Sequence, residues 1–309
     1  MIALEMGGRL GNQLFRYAYA RMVIEKRGRK EALVFGLHEM RNESAAEGWV
    51  DSLRDFNILP HTTDKRRLCL FYGSFLQRLA VAVFWVEKYI LYHVFNHPVY
   101  KTEQHWHPLF NKLGILFSFD KSHEYDIPME TETVLIDGLF ENSKYFKDIR
   151  GLLLKEYTPR YPEAEHNKDL YKVIRSSNSV CISIRRGDYL SKKFKGRFFV
   201  CDSDYFERAI KVIREKVKNP VFIFFSDDIE WVKNNIQIEG ECYYERGDDP
   251  VWEKLRLMYN CKHFIISNST FSWWAQYLSR NNDKVVVSPT RWYNTEGPSF
   301  LIEESFIKV

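Results

Sequence analysis

From Val180 onward, short apolar runs alternate with stretches in which apolar residues recur every three or four positions. Short runs bounded by turn residues predict buried strands, and the three-and-four spacing predicts helices that bury one face. The strands are expected at Val180–Ile184, Val221–Phe225, Cys242–Tyr244, His263–Ser267 and Lys284–Val287. The helices between them are expected at Asp204–Lys218, Asp228–Asn235, Val251–Asn260 and Phe271–Ser279. In the first of these, Tyr205, Ala209, Val212, Ile213 and Val217 fall on one side. Such alternation argues for an α/β domain, a parallel sheet wrapped by helices.

The first half is less regular. Met1–Met6 predicts a strand and Gln13 to Lys26 a helix, with Leu14, Phe15, Ala18 and Met22 on one face. Between them runs Gly7-Gly8-Arg9-Leu10-Gly11-Asn12. Glycines let backbone approach a ligand, and a helix start offers free N–H groups. The spacing is GGxxG rather than the dinucleotide GxGxxG, so a plain tight turn remains an equal reading. Further elements are expected at Glu31–Leu37, Thr133–Phe140 and Ser143–Leu154, while Arg41–Glu130 yields no clear pattern. Pro159, Pro162 and scattered charges mark a boundary, giving domains 1–158 and 179–309 with a linker at 159–178. The C-terminal tail is free to pack back on the first domain. Leu68–Phe95 is the most apolar stretch, but Gln77, Arg78, Glu87 and Lys88 interrupt it. It lacks the roughly 20 clean residues of a membrane span. A helical hairpin or amphipathic helix is expected there, packed on the core first and against a membrane surface second.

Composition narrows the function classes. A net charge of +4 with no long Lys/Arg block argues against nucleic-acid binding. The five cysteines, Cys69, Cys181, Cys201, Cys242 and Cys261, are scattered and show no CxxC, so free thiols in a reducing compartment are expected and no metal cluster. The N-terminus lacks a basic region followed by an apolar one, so a cytoplasmic protein is expected. Most of the abundant aromatic residues are expected to be core.

Three loops of the second half carry the candidate chemistry. Arg185-Arg186-Gly187-Asp188-Tyr189 follows the first strand, Ser226-Asp227-Asp228 the second, and Ser267-Asn268-Ser269-Thr270 the fourth. In a parallel sheet, loops after strands emerge on one edge, where open α/β folds bind ligands. Arginine suits a phosphate because its planar fork donates paired hydrogen bonds. Ser269 and Thr270 supply hydroxyls at a helix start, a ready anion site, and Asp227 and Asp228 can accept from a base or a ribose. Each feature has a plainer reading: Asp228, Ser269 and Thr270 as helix caps, Arg185 paired with Asp188, and Trp273-Trp274 as core. Arg186-Gly187-Asp188 is also a cell-adhesion tripeptide, but it leaves a buried strand rather than a mobile hairpin. Together the three loops describe a nucleotide diphosphate held without a metal.

Ser183–Tyr189 resembles the HxRRGDY motif of the α-1,2-fucosyltransferases, the bacterial-type group of glycosyltransferase family 11. Cys261–Trp274 resembles that family's CKHxIIANSSFSWWGAWL signature, and Gly11–Phe15 its N-terminal GNQLF element. Gly138–Phe140, Tyr145–Ile149 and Ser288–Tyr293 resemble further family segments in the same order. The resemblance implies a GT-B-like fold, two Rossmann-like α/β domains whose parallel sheets face an interdomain cleft. It implies transfer of L-fucose from GDP-β-L-fucose to a galactosyl 2-hydroxyl, with inversion and no metal or other cofactor. The acceptor would be a galactose-terminated or lipid-linked surface-glycan precursor, met in the cytoplasm or at the inner membrane face. It gives Arg185 the β-phosphate, Ser269, Thr270 and Phe271 the diphosphate, Asp227 or Asp228 the guanosine, and Gly11 and Asn12 the cleft lining. Asp188 is either the base for the acceptor hydroxyl or a partner for Arg186. Ser183 stands where the family has histidine; it can hydrogen-bond but has no ring to stack on guanine, which leaves a different nucleotide-sugar donor, or a catalytically silent binding protein, as alternatives.

Overall fold

The structure is a computed structural model that describes residues 1–42, 49–119, 124–295 and 299–309. The chain divides into two α/β units, Met1–Tyr157 and Thr158–Val309. In the first unit the elements run β1 (Ile2–Glu5), α1 (Leu10–Arg27), β2 (Leu33–Gly36), α2 (His38–Asn42), β3 (Thr62–Asp64), α3 (Leu68–Phe71), α4 (Phe75–Phe95), α5 (Val99–Leu113), β4 (Ile115–Ser118), β5 (Val134–Gly138) and α6 (Arg150–Glu156). The five strands form one parallel sheet in the order β3-β2-β1-β5-β4. Every residue of β1, β2, β4 and β5 is buried. That is why these strands read as continuous apolar runs instead of alternating ones. The helix α1 is buried on nearly all sides, even at Gln13, Arg16, Arg21 and Arg27, and ends on Gly28 in the left-handed region at φ 60°.

The stretch that yields no sequence pattern holds most of the first unit's helix, although 43–48 and 120–123 of it lie outside the described residues. Leu68–Phe95 is not a hairpin. It is the short α3 followed by α4, a single helix of 21 residues. Ser74 and Gln77 start α4 with a reciprocal pair of side-chain-to-backbone bonds, at 3.2 and 2.7 Å. Ala80, Val81 and Phe84 bury its inner face with Phe110, Ile115, Phe117 and Leu135. The charges that seemed to interrupt it are absorbed locally: Glu87 accepts from the Trp106 indole at 2.8 Å, and Lys88 lies over the rings of Trp85 and Phe119 at 4.0 and 4.2 Å. Pro108 inside α5 hides that helix from a periodicity reading. Among the described residues no helix is long and apolar enough to cross a membrane. The helix expected from Ser143 begins only at Arg150, after two 3-10 turns, the first capped by Asn142.

The second unit runs α7 (Lys168–Ser176), β6 (Asn178–Ile184), α8 (Lys195–Phe198), α9 (Ser203–Lys216), β7 (Pro220–Ser226), α10 (Ile229–Asn235), β8 (Cys242–Tyr244), α11 (Val251–Asn260), β9 (His263–Ile265), α12 (Thr270–Leu278), β10 (Val286–Ser288) and β11 (Ile307–Lys308). All six strands are parallel, ordered β11-β10-β9-β6-β7-β8. The C-terminal tail supplies the edge strand β11 of this sheet. Residues 159–178 carry α7 and are tied to α11: Tyr171 donates to Glu253 at 3.1 Å, Asn167 to Asp249 at 3.0 Å, and Arg256 to the Tyr161 carbonyl at 2.7 Å. Polar side chains make that attachment, while Tyr171 and Ile174 bury the inner face of α7. All five cysteines are free, and all but Cys242 are buried.

At the centre, β6 pairs along its whole length with β7 and on its other side with β9. Val180, Ile182 and Ile184 point into the cluster that holds Ala209, Ile213, Phe222 and Phe224. Ile182→Ala is expected to cost about 2–5 kcal/mol, the range for truncating a fully buried aliphatic side chain. Urea unfolding of the variant and the wild type checks this.

Candidate functional site

Because β6, β7 and β9 are parallel neighbours, their carboxyl ends share one edge of the second sheet. The residues that follow them meet there. Arg185 sits 2.7 Å from Asp227 through one terminal nitrogen and donates to Asp188 at 2.6 Å through the other. Burial works against its charge, but the two carboxylates more than offset that, and its pKa rises above the ordinary arginine value. The guanidinium is therefore charged and fixed in place.

Asp227 also takes the backbone N–H of Arg186 at 2.9 Å, so one carboxylate braces both arginines. Gly187 is required beside it: a Cβ there would stand 2.6 Å from the Asp227 carboxylate oxygen. The Arg186 side chain turns the other way, bonding Asp228 at 3.3 Å and lying 3.4 Å over the Trp231 ring. Of the two pairings expected for Asp188, the one with Arg185 is present, and Arg186 pairs with Asp228 instead. A 3-10 turn over Asp188–Leu190 brings the Asp188 carboxylate back over Arg185. Two guanidinium groups thus meet three carboxylates. Net charge here does not favour an anion, so any anion site at this edge would depend on oriented N–H donors.

Those donors include the start of α12. Ser269 occupies its N-cap with extended backbone, yet its side chain makes no capping bond. Ser269, Thr270 and Phe271 are half-buried, whereas Ser272 through Ser279 are buried. The first turn is the accessible part of this helix, and its N–H groups form a site suited to phosphate. Asp228 behaves as the plainer reading has it, accepting from the Trp231 N–H at 3.2 Å as the cap of α10. Ser183 is buried near the end of β6, opposite Phe225 of β7.

Asn268 and Tyr189 join the loops, a role the sequence reading did not assign. The Tyr189 hydroxyl donates to the Asn268 carbonyl at 3.0 Å. The buried Asn268 amide donates to the carbonyls of Phe198 and Trp292 at 2.9 and 2.8 Å. Its oxygen takes the Cys201 thiol at 3.7 Å. The signal was present, since an asparagine between a strand and a helix start commonly bonds backbone. Asn268→Ala strands two carbonyls, each worth about 1–3 kcal/mol. The expected outcome is a clear fall in denaturation midpoint, read by thermal melts of the variant and the wild type.

Gly11 and Asn12 belong to the first unit, in the first turn of α1, with Gly11 buried and Asn12 half-buried. Gly8 has φ 71°, and a Cβ there would meet that of Asn12 at 2.8 Å. Buried Gln13 fastens this turn, donating to the Gly8 and Val50 carbonyls at 2.9 and 2.8 Å and accepting from the Ser52 N–H at 3.0 Å. Behind it lies a buried acidic cluster. Arg16 donates to the Glu5 carbonyl at 2.8 Å and to Asp137 at 3.3 Å. Burial and the neighbouring Asp137 push Glu5 up to about 7. Burial likewise lifts Asp137 to about 6, against the pull of Arg16. Both pKa values lie above those of an unfolded chain, so the folded state holds more protons between about pH 4 and pH 7. Stability from these groups is full below that window and is lost as pH rises through it. Melting temperatures should therefore fall from pH 5 to pH 8 in the wild type, and fall less in Glu5→Gln.

The family model for Glycosyl transferase family 11 matches residues 84–308. An alpha-1,2-colitosyltransferase of Escherichia coli is 29% identical over 313 residues, covering 96% of this chain and 93% of that protein. The O-antigen biosynthesis glycosyltransferase WbnK of Escherichia coli is 34% identical over 145 residues, 45% of this chain and 48% of that protein. Human galactoside alpha-(1,2)-fucosyltransferase 1 is 29% identical over 148 residues, 44% of this chain and 40% of that protein. The chain thus spans less than half the length of the latter two. Among solved structures, NodZ alpha-1,6-fucosyltransferase soaked with GDP-fucose superposes with a TM-score of 0.52 at 14% identity, covering 90% of this chain and 92% of that one. That likeness shows a shared fold, the GT-B-like pairing of two α/β units. With the family model spanning most of its length, the chain belongs to glycosyl transferase family 11.

Proposed function

We propose that this chain is an inverting α-1,2-fucosyltransferase that moves L-fucose from GDP-β-L-fucose to the 2-hydroxyl of a galactosyl residue. The acceptor is a galactose-terminated surface-glycan precursor in the cytoplasm, free or lipid-linked at a membrane face. The observation that carries the reading is the convergence of the braced Arg185 with the open first turn of α12 on one sheet edge, joined by the Tyr189–Asn268 bond. Among the relatives, one is named a galactoside alpha-(1,2)-fucosyltransferase and another an O-antigen biosynthesis enzyme.

Fucosyl transfer passes through an oxocarbenium-like state while negative charge grows on the departing diphosphate. Arg185 and the α12 N–H groups meet that charge without a metal, with Ser269, Thr270 and Phe271 lining the turn. Donors already oriented cost no rearrangement at the moment of bond breaking. Asp227 and Asp188 hold Arg185 in place while its remaining guanidinium N–H groups serve the diphosphate, Asp227 or Asp228 accepts from the guanosine, and Ser183 bonds its edge. Gly11 and Asn12 serve the acceptor side. Asp188 lies too firmly on Arg185 to be favoured as the base.

A second reading is favoured by the relative that matches nearly the whole chain, which is named a colitosyltransferase. Colitose is L-fucose without its 3-hydroxyl. A site built to bond that hydroxyl rejects the deoxy sugar strongly, whereas one lined by apolar groups discriminates weakly. GDP release measured with GDP-fucose and with GDP-colitose, on galactose-terminated acceptors, decides between the donors. Turnover on GDP-fucose is expected, and Arg185→Ala should lower kcat by about 10²–10³, the usual loss on removing such a donor. A folded Arg185→Ala enzyme with unchanged turnover contradicts the proposal.

A further inference from the structure

Among the described residues the outer face of α4 has no partner in the fold, and it is apolar along its length. Ten large apolar side chains between Phe75 and Phe95 are exposed, against an inner face that is fully packed. Leu76, Leu79, Val83, Val86 and Ile90 are 44–62% exposed and follow one another at alternating spacings of three and four. That spacing keeps side chains on one seam of a helix and is the a/d pattern by which helices pair. A surface helix of a lone globular protein shows polar residues there instead.

Two occupants suit an apolar helix face, a second helix and a lipid surface. A helix lying on a membrane carries Lys or Arg beside its apolar face to meet anionic headgroups. Beyond Arg78, α4 has one such cation, Lys88, and it is folded onto Trp85 and Phe119. The nearby Arg67 is likewise stacked on Trp85, at 5.0 Å. The seam is therefore neutral, which suits a copy of itself. The helix is also preset: a capping box fixes its start, Asn96 ends it at φ 50°, and its inner face anchors it to the core. Eight of the ten, all but Tyr92 and Phe95, fall on the seam side; at roughly 100 Å² for each exposed side chain, a fraction of what a buried aromatic contributes, the face offers on the order of 800 Å². A stable interface takes about 800 Å² per partner, and the largest apolar patch of an ordinary monomer is about 300–600 Å².

We propose that two copies of this chain pair through the outer face of α4, seam against seam about a two-fold axis. This lies beyond the transferase reading and does not depend on it. The test is sedimentation equilibrium of the full chain at about 10 μM, for the wild type and for the double variant Val83→Glu/Val86→Glu. The wild type is expected to be a dimer. The variant, with unchanged circular dichroism, is expected to be a monomer, its dimer weakened by about a hundredfold or more, as two charges at the centre of an apolar interface require. Val83→Cys, which keeps the face apolar, should form an intermolecular disulfide on mild oxidation. A monomeric wild type overturns the proposal. So does a dimer that the double variant leaves intact, or a Val83→Cys protein that does not cross-link. A monomeric wild type that co-sediments with phosphatidylglycerol vesicles gives the face to a lipid surface instead.

Discussion

The second unit is arranged around the position of one carboxylate. Asp227, at the end of β7, holds the Arg185 guanidinium and the Arg186 backbone N–H together, and a glycine must follow for it to come that close. An arginine at a strand end is otherwise mobile, and ordering it costs side-chain entropy. Bracing by Asp227 and Asp188 removes that cost before any ligand arrives. The pleat of a parallel sheet then does the rest, since it sets β7 beside β6 and β9 beyond it at a fixed spacing. Charge, orientation and the neighbouring helix start are all delivered by strand register.

This arrangement explains why the site tolerates more carboxylates than arginines. Net charge would draw anions of any shape. In the proposed function, aimed donors would select one whose oxygens match the fork of a guanidinium and the first turn of a helix. Asn268 keeps that match from drifting, because its buried amide binds two loops that share no strand pairing. The first unit follows the same economy. Gln13 fastens the glycine turn at the start of α1, and behind it Arg16 ties the Glu5 backbone carbonyl to the buried Asp137 carboxylate. In both units, polar side chains buried among strands hold the loops that chemistry needs.

Much of this was legible in the residues. The strands and helices after Val180 could be placed because each obeys a clean period, and the three loops followed from parallel topology. The local Arg185–Asp188 pair could be read, since the two lie three residues apart, but the pairs Arg185–Asp227 and Arg186–Asp228 cross between strands and could not. The plain helix-cap reading holds for Asp228 and not for Ser269, although both precede helices. In the first unit α4 and α5 were obscured for a physical reason. One helix is apolar on both faces and the other contains a proline, so neither shows the contrast that periodicity detects. In residues 159–178 the apolar period is short, confined to the nine-residue α7, and the rest is attached by buried polar bonds.

The proposed function seats a nucleoside diphosphate at the carboxyl edge of the second sheet, between the loop after β6 and the start of α12. A crystal structure of the protein with GDP bound checks this. The β-phosphate is expected within hydrogen-bond distance of the Arg185 guanidinium and of backbone N–H groups in the first turn of α12. A diphosphate seated elsewhere, away from Arg185 and the α12 turn, overturns the proposal.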